Sequence, residues 1–126
     1  MKKKLDKMEF NSKPEIHPKG WGYEIWIYNS DLYCGKILNF EAGKKCSWHY
    51  HILKDEVFYV RSGRIELLVS EFDEISEAQV ITLGEGDTFH IRPGIRHQMK
   101  ALIASELVEI STTHFESDSY RLLRGD

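Results

Sequence analysis

The chain has 126 residues, 17 basic and 20 acidic side chains and a formal net charge of −3, a size that supplies one sizeable core rather than two. That balance leaves no broad basic surface of the kind that gives nucleic-acid affinity. No apolar run approaches the roughly 20 residues of a membrane-spanning helix, so neither nucleic acid nor membrane is an expected partner.

The N-terminus, MKKKLDKMEF, has lysines but no apolar stretch or small-residue cleavage site behind them, and a cytoplasmic location is expected by default. Residues 1–19 are polar, hold Pro14 and Pro18 and lack helical or strand periodicity, so they are expected to form an extended arm ahead of an ordered domain over 20–126. The triplet Lys2, Lys3 and Lys4 reads as a solvated terminus rather than a nucleic-acid arm. Cys34 and Cys46 form no CxxC pair and are expected to be reduced and structural.

From Gly20 onward, short runs rich in β-branched and aromatic residues alternate with Gly, Asp, Asn and Ser, which predicts an all-β fold. The predicted strands are WGYEIWIYN (21–29), YCGKILNF (33–40), KCSWHYH (45–51), EVFYVR (56–61), RIELLVS (64–70), AQVITL (78–83), TFHIR (88–92), RHQMKA (96–101) and ELVEIST (106–112). RSGR, built on Gly63, reads as a hairpin turn, and EFDEISEA (71–78) as a longer acidic hairpin loop. The closing HFESDSYRLLRGD reads as a brief extended segment or one helical turn. So many short strands in a small chain imply a closed barrel or a two-sheet sandwich that hides its edges. Trp21, Tyr23, Trp26 and Tyr28 occupy both faces of the first strand. That fits an internal sheet position or a subunit interface, and a homodimer is the expected assembly.

HYHILKDE (49–56) carries the chemistry. Residues two apart on a strand share a face, so His49 and His51 project together while Trp48 and Tyr50 point the other way. Their spacing lets both imidazoles reach one ion, and a hairpin-like return after a four-residue connection would bring in the carboxylate of Glu56. Two imidazoles and a carboxylate suit iron(II), and also Mn, Zn, Ni and Co. Lys54 and Asp55 are expected at the exposed tip of the connection. Further on, GDTFHIRPGIRHQM (86–99) adds a glycine turn, a Pro-Gly corner and His97 at a strand start.

Together these two segments resemble the paired motifs of the cupin superfamily, small jelly-roll β-barrels. Gly43, His49, His51, Glu56 and Gly63 match the first motif throughout, and Gly86, Gly94 and His97 match the second, with Arg92 standing where that motif has its first proline. The resemblance covers about residues 20–115. It implies a cupin domain over 20–126, with His49, His51, Glu56 and His97 as ligands of one divalent transition-metal ion (Zn, Mn, Fe, Ni or Co). A finer likeness lies in HPKGWGYEIWI (17–27), which is similar to the opening strand of the C-terminal cupin domain of type II mannose-6-phosphate isomerases. LNFEAGKKCSWHYH and LVEIST are also similar to strands of that domain. The nucleotidyltransferase usually fused to it is not present in these 126 residues, and its acidic tail survives only loosely, as FESDSYRLL.

The finer resemblance implies a sugar or sugar-phosphate substrate and isomerase or epimerase chemistry. That chemistry needs a Lewis acid at the carbonyl and hydroxyl oxygens and a base that is not a ligand. His90 and Glu109 are the candidate bases, and Lys45, Arg92 and Arg96 the candidate cations for a phosphate. Phe58 and Val60 alternate with Glu56 and are expected to wall the barrel beneath the ion. An iron-dependent dioxygenase and a non-catalytic metal- or small-molecule-binding module are the competing readings.

Overall fold

The computed structural model describes residues 3, 4 and 11–126, so Lys2 and residues 5–10 of the expected arm lie outside the described residues. Among the described residues, eleven strands form two antiparallel sheets. The six-stranded sheet runs in the order β1 (Glu15–Lys19), β2 (Gly22–Asn29), β3 (Cys34–Phe40), β10 (Ser105–Ser111), β5 (Glu56–Ser62) and β8 (Thr88–Ile91). The five-stranded sheet runs β11 (Tyr120–Leu123), β4 (Trp48–Tyr50), β9 (Arg96–Ala101), β6 (Arg64–Ser70) and β7 (Gln79–Gly84). This is the jelly-roll architecture, and its only helical elements among the described residues are 3-10 turns at Ile75–Glu77 and Glu116–Asp118. Among the described residues, no helix is long and apolar enough to cross a membrane.

The core between the sheets follows from period-2 alternation. On β5, Glu56, Phe58 and Val60 point inward while Val57 and Tyr59 are exposed. On β10, Leu107 and Glu109 are buried. Phe58, Val60, Ile65, Leu67, Met99 and Leu107 form the centre of the apolar cluster, and Trp21 closes one side by stacking on Phe40 at 4.1 Å between ring centroids. Trp48, fully buried, faces away from His49 and donates its indole N–H to the Asp73 carbonyl at 2.7 Å, so the 71–78 loop covers it.

Two local expectations change. β5 and β6 belong to different sheets, so Gly63 makes a corner between layers and not a hairpin turn. Its φ of +98° and the Ser105 side chain and Ala104 carbonyl against its α-carbon leave no room for a Cβ. Residues 15–19, read as part of an arm, form β1 on the edge of the larger sheet, where Pro18 removes no needed donor. The 71–78 loop does join a hairpin, β6 with β7. The C-terminal stretch supplies both features expected of it, a 3-10 turn and then β11. Trp21 is buried, whereas Tyr23 and Tyr28 are exposed on the single chain. Cys34 and Cys46 are buried and free, and burial pushes the Cys46 thiol up to about 12.

Leu107 is fully buried at the middle of β10, between β3 and β5. Leu107→Ala is expected to cost about 2–5 kcal/mol in chemical denaturation; a loss below about 1 kcal/mol would mean the two-sheet core is not centred there.

Candidate metal centre

His49 lies on β4, His51 follows that strand directly and His97 sits on the neighbouring β9, where it is the register partner of His49. Their ligating nitrogens lie within 4.8 Å of one another. Each ring is fixed by its other nitrogen: Nδ1 of His49 meets the Ser47 carbonyl at 2.8 Å, Nδ1 of His51 the Asp118 carbonyl at 3.0 Å, and Nδ1 of His97 the Ile95 carbonyl at 2.9 Å. A carbonyl only accepts, so each Nδ1 carries the proton and each Nε2 keeps a free lone pair.

Glu56 comes from the opposite sheet. The 51–55 connection crosses between layers rather than returning as a hairpin, yet it delivers the carboxylate to the same point. Glu56 Oε2 lies 3.2 Å from His97 Nε2 and 3.5 Å from His51 Nε2. Both Glu56 Oε2 and His97 Nε2 are buried without a hydrogen-bond partner. Electron-pair donors facing one another in a buried site are repulsive unless a cation lies between them, so the four groups fit a divalent ion by charge and by geometry. Burial, followed by the neighbouring His97 and His51, holds His49 well below the usual imidazole range, and burial also lowers His51. Burial works against the Glu56 charge, but His97, Lys54 and His51 outweigh it and bring its carboxyl to about 2.

The centre opens into a cavity of about 320 Å³. Its walls are charged and buried. Lys54, expected at an exposed tip, is 3% exposed and places Nζ 2.6 Å from Glu109 Oε2, 3.7 Å from Glu56 Oε1 and 3.1 Å from His114 Nδ1. Burial opposes the Lys54 charge, but Glu109 and Glu56 raise its pKa and keep it an ammonium. Glu109 is raised, chiefly by burial, with Lys54 pulling the other way and Glu56 adding to the rise. Lys36 is as buried as Lys54, 3.4 Å from Glu24 and 4.2 Å above the Trp26 ring.

The sequence-nominated residues therefore divide. His49, His51, His97 and Glu56 come together, and Glu109 lines the same cavity. The structure does not bring His90 there: it pairs with the outward Val57 and bonds Asp55 at 2.6 Å on the exterior. Arg92 pairs with Glu71 and Arg96 with Asp73 and the Tyr50 ring, both away from the cavity, and Lys45 does not line it.

Lys36, Lys54, His114 and Asp118 escaped the sequence reading. Lys36 had a signal, since it shares the inward period of Cys34, Leu38 and Phe40. Asp118 had none. It is 3% exposed, and its carboxylate accepts the backbone N–H groups of Ile52, Leu53 and Lys54 at 2.9, 3.1 and 3.0 Å while its carbonyl holds His51. The loop between two ligands is thus shaped by a residue more than sixty positions downstream.

Residues 36–110 match the cupin domain family. No curated protein matches the chain. Among solved structures, oxalate decarboxylase from Bacillus subtilis is 19% identical with a TM-score of 0.74 over 86% of this chain. The match spans only 30% of that enzyme's length. KdgF from Halomonas sp. is 17% identical with a TM-score of 0.69, over 82% of this chain and 91% of its own. These likenesses concern the fold.

Dialysis against a divalent metal followed by elemental analysis is expected to give about one ion per chain, and none in His97→Ala. In the metal-free protein, His49 and His51 stay neutral in the fold while the unfolded chain protonates near 6.5. Stability should therefore fall as pH drops below about 6.5, seen as a falling Tm; a flat Tm between pH 7 and 5 would contradict the buried neutral imidazoles. Asp118→Ala, which keeps the backbone carbonyl on His51 but releases the Ile52, Leu53 and Lys54 amides, should weaken the ion's Kd about 10-fold or more in chelator competition, with Asp118→Asn intermediate, and an unchanged Kd would mean that the carboxylate's grip on the 52–54 loop does not position the ion's donors.

Proposed function

From the premise that the chain belongs to the cupin family, we propose that it is a metal-dependent cupin whose cavity takes a monosaccharide-sized carbohydrate and whose chemistry is sugar isomerisation or epimerisation. The observation that carries this reading is where the isomerase-like segment lies. Lys19, Gly20, Trp21, Glu24 and Trp26, all within 17–27, line the cavity that holds the histidine cluster. A volume of about 320 Å³ is at the small end for ligand pockets and suits a single sugar ring. Its buried carboxylates and ammonium groups offer acceptors and donors suited to hydroxyls.

When bound, a divalent ion would supply Lewis acidity to adjacent carbonyl and hydroxyl oxygens. Manganese is one candidate, because Mn(II) centres are described in oxalate decarboxylase. In this reading Glu109 takes a proton from one sugar carbon and returns it to its neighbour. Burial and the nearby Glu56 raise its basicity, and Lys54 holds its carboxylate in place with the Ser111 hydroxyl, which donates at 3.0 Å. Lys54 also contacts Glu56, so the base and the ligand set are held by one ammonium. His90, on the exterior, takes no part.

The test is turnover of aldose and ketose sugars, with and without phosphate, by protein loaded with Mn, Zn, Fe, Ni or Co. Glu109→Gln is expected to reduce kcat by about 100-fold or more with a smaller change in KM. Glu109 acts ionised, and Lys54, Glu56, Lys36, Cys34 and Ser111 face it. Activity should thus rise with pH through an acid limb above 4.5 that the variant lacks. Full activity in Glu109→Gln would remove the base, and no turnover with any metal would leave a binding module. Oxygen uptake dependent on iron would instead support the dioxygenase reading.

A further inference from the structure

β11 sets one more charged side chain beside the histidines. Arg121 is the register partner of His49, and Tyr120 that of Tyr50. Cross-strand partners share a face of the sheet. Tyr120 and Tyr50 stack on the outer face, ring centroids 5.1 Å apart, so Arg121 belongs to the interior face with His49. There it lines the cavity with Arg124 and Lys19.

Other exposed basic side chains, Arg64, Lys44 and Lys45, also have no ion pair among the described residues, but unlike Arg121, Arg124 and Lys19 they do not line the cavity. Arg61, Arg92 and Arg96 are paired with Glu106, Glu71 and Asp73. Among the described residues, none of the recorded ion pairs involves Arg121, Arg124 or Lys19. Three carboxylates of the same cavity form no ion pair with these cations: Asp126 accepts the Lys45 backbone N–H at 2.9 Å, Glu24 holds Trp26 and Lys36, and Glu116 contacts His114. A guanidinium presents a planar fork matched to two oxygens of a carboxylate or phosphate. One without an ion pair among the described residues, on the same face as His49 and lining the cavity, offers that fork to an oxyanion brought in from solution.

We propose that Arg121, with Arg124 and Lys19 beside it, binds the oxyanion of an acidic sugar, a phosphate ester or a uronate-type carboxylate, whose hydroxyl-bearing end reaches the histidine cluster. This rests on the reading of the cavity as a carbohydrate site. It assigns the anion to the C-terminal strand and not to Lys45, Arg92 or Arg96.

Calorimetry on cobalt-loaded protein tests it with two matched pairs, mannose 6-phosphate against mannose and glucuronate against glucose. The charged member of at least one pair should bind about 10-fold or more tightly than its neutral partner, and which pair shows this identifies the oxyanion. Arg121→Gln should erase most of that preference while leaving neutral-sugar affinity, the cobalt absorption spectrum and metal content unchanged. Arg92→Gln should change nothing. Equal affinity for charged and neutral sugars in the unmodified protein, or a preference that survives Arg121→Gln, overturns the proposal. If no sugar binds, inorganic phosphate decides. Phosphate binding that depends on Arg121 upholds the oxyanion site and sinks the carbohydrate reading, whereas phosphate binding absent or indifferent to Arg121 sinks both.

Discussion

Four electron-pair donors aimed at one buried point set the terms for this protein. Each histidine spends its Nδ1 proton on a backbone carbonyl, which obliges its Nε2 lone pair to face inward. Glu56 arrives from the other sheet with an oxygen that finds no donor. Desolvated acceptors cost free energy unless something positive joins them. A cation at that point would tie the two sheets together, and the corners and loops around it bring β4, β5 and β9 there.

The charge inventory of the cavity points the same way. Lys36 and Lys54 face the half-buried Glu24 and the buried Glu56 and Glu109, with His49 and His51 held neutral by burial. Two ammonium groups against three carboxylates leave the interior one negative charge in excess. Buried ion pairs rarely repay their desolvation, so such a concentration is not explained by stability. It is separated from the apolar floor of Phe58, Val60, Met99 and Leu38 by the alternation of single strands: Glu56 and Phe58 are successive inward positions of β5, and Lys36 and Leu38 of β3. Each strand contributes a charged residue above and an apolar one below.

That alternation explains what the sequence revealed. Spacing along one strand identifies a shared face, so His49 with His51, and Glu56 with Phe58 and Val60, were legible before any coordinates, as was the all-β class. Which sheet a strand joins is decided by long-range pairing, which no local pattern encodes. Gly63 looked like a hairpin turn because β5 and β6 are consecutive, but it is a corner. His90 looked adjacent to the second motif, but it stands on the outward register opposite Val57. Lys54 looked like a loop tip because lysine favours solvent, and only the distant Asp118, Glu109 and His114 show why it is turned in.

The C-terminal segment shows why family membership fixes a metal-binding scaffold without fixing a reaction. Ligands and turn glycines lie within or close to the matched span of 36–110, whereas Asp118, Arg121 and Arg124 lie beyond it. Yet Asp118 shapes the loop between two ligands, and β11 pairs along the ligand strand β4, placing Arg121 level with His49. A segment in that position can change the charge and width of the cavity mouth through its side chains while β11 pairing and the Asp118 carbonyl and carboxylate hold the barrel. Ligand orientation and mouth chemistry are thus coupled through one short strand. The decisive differences between cupins of this size should accordingly be sought in what covers the histidines as much as in the histidines themselves.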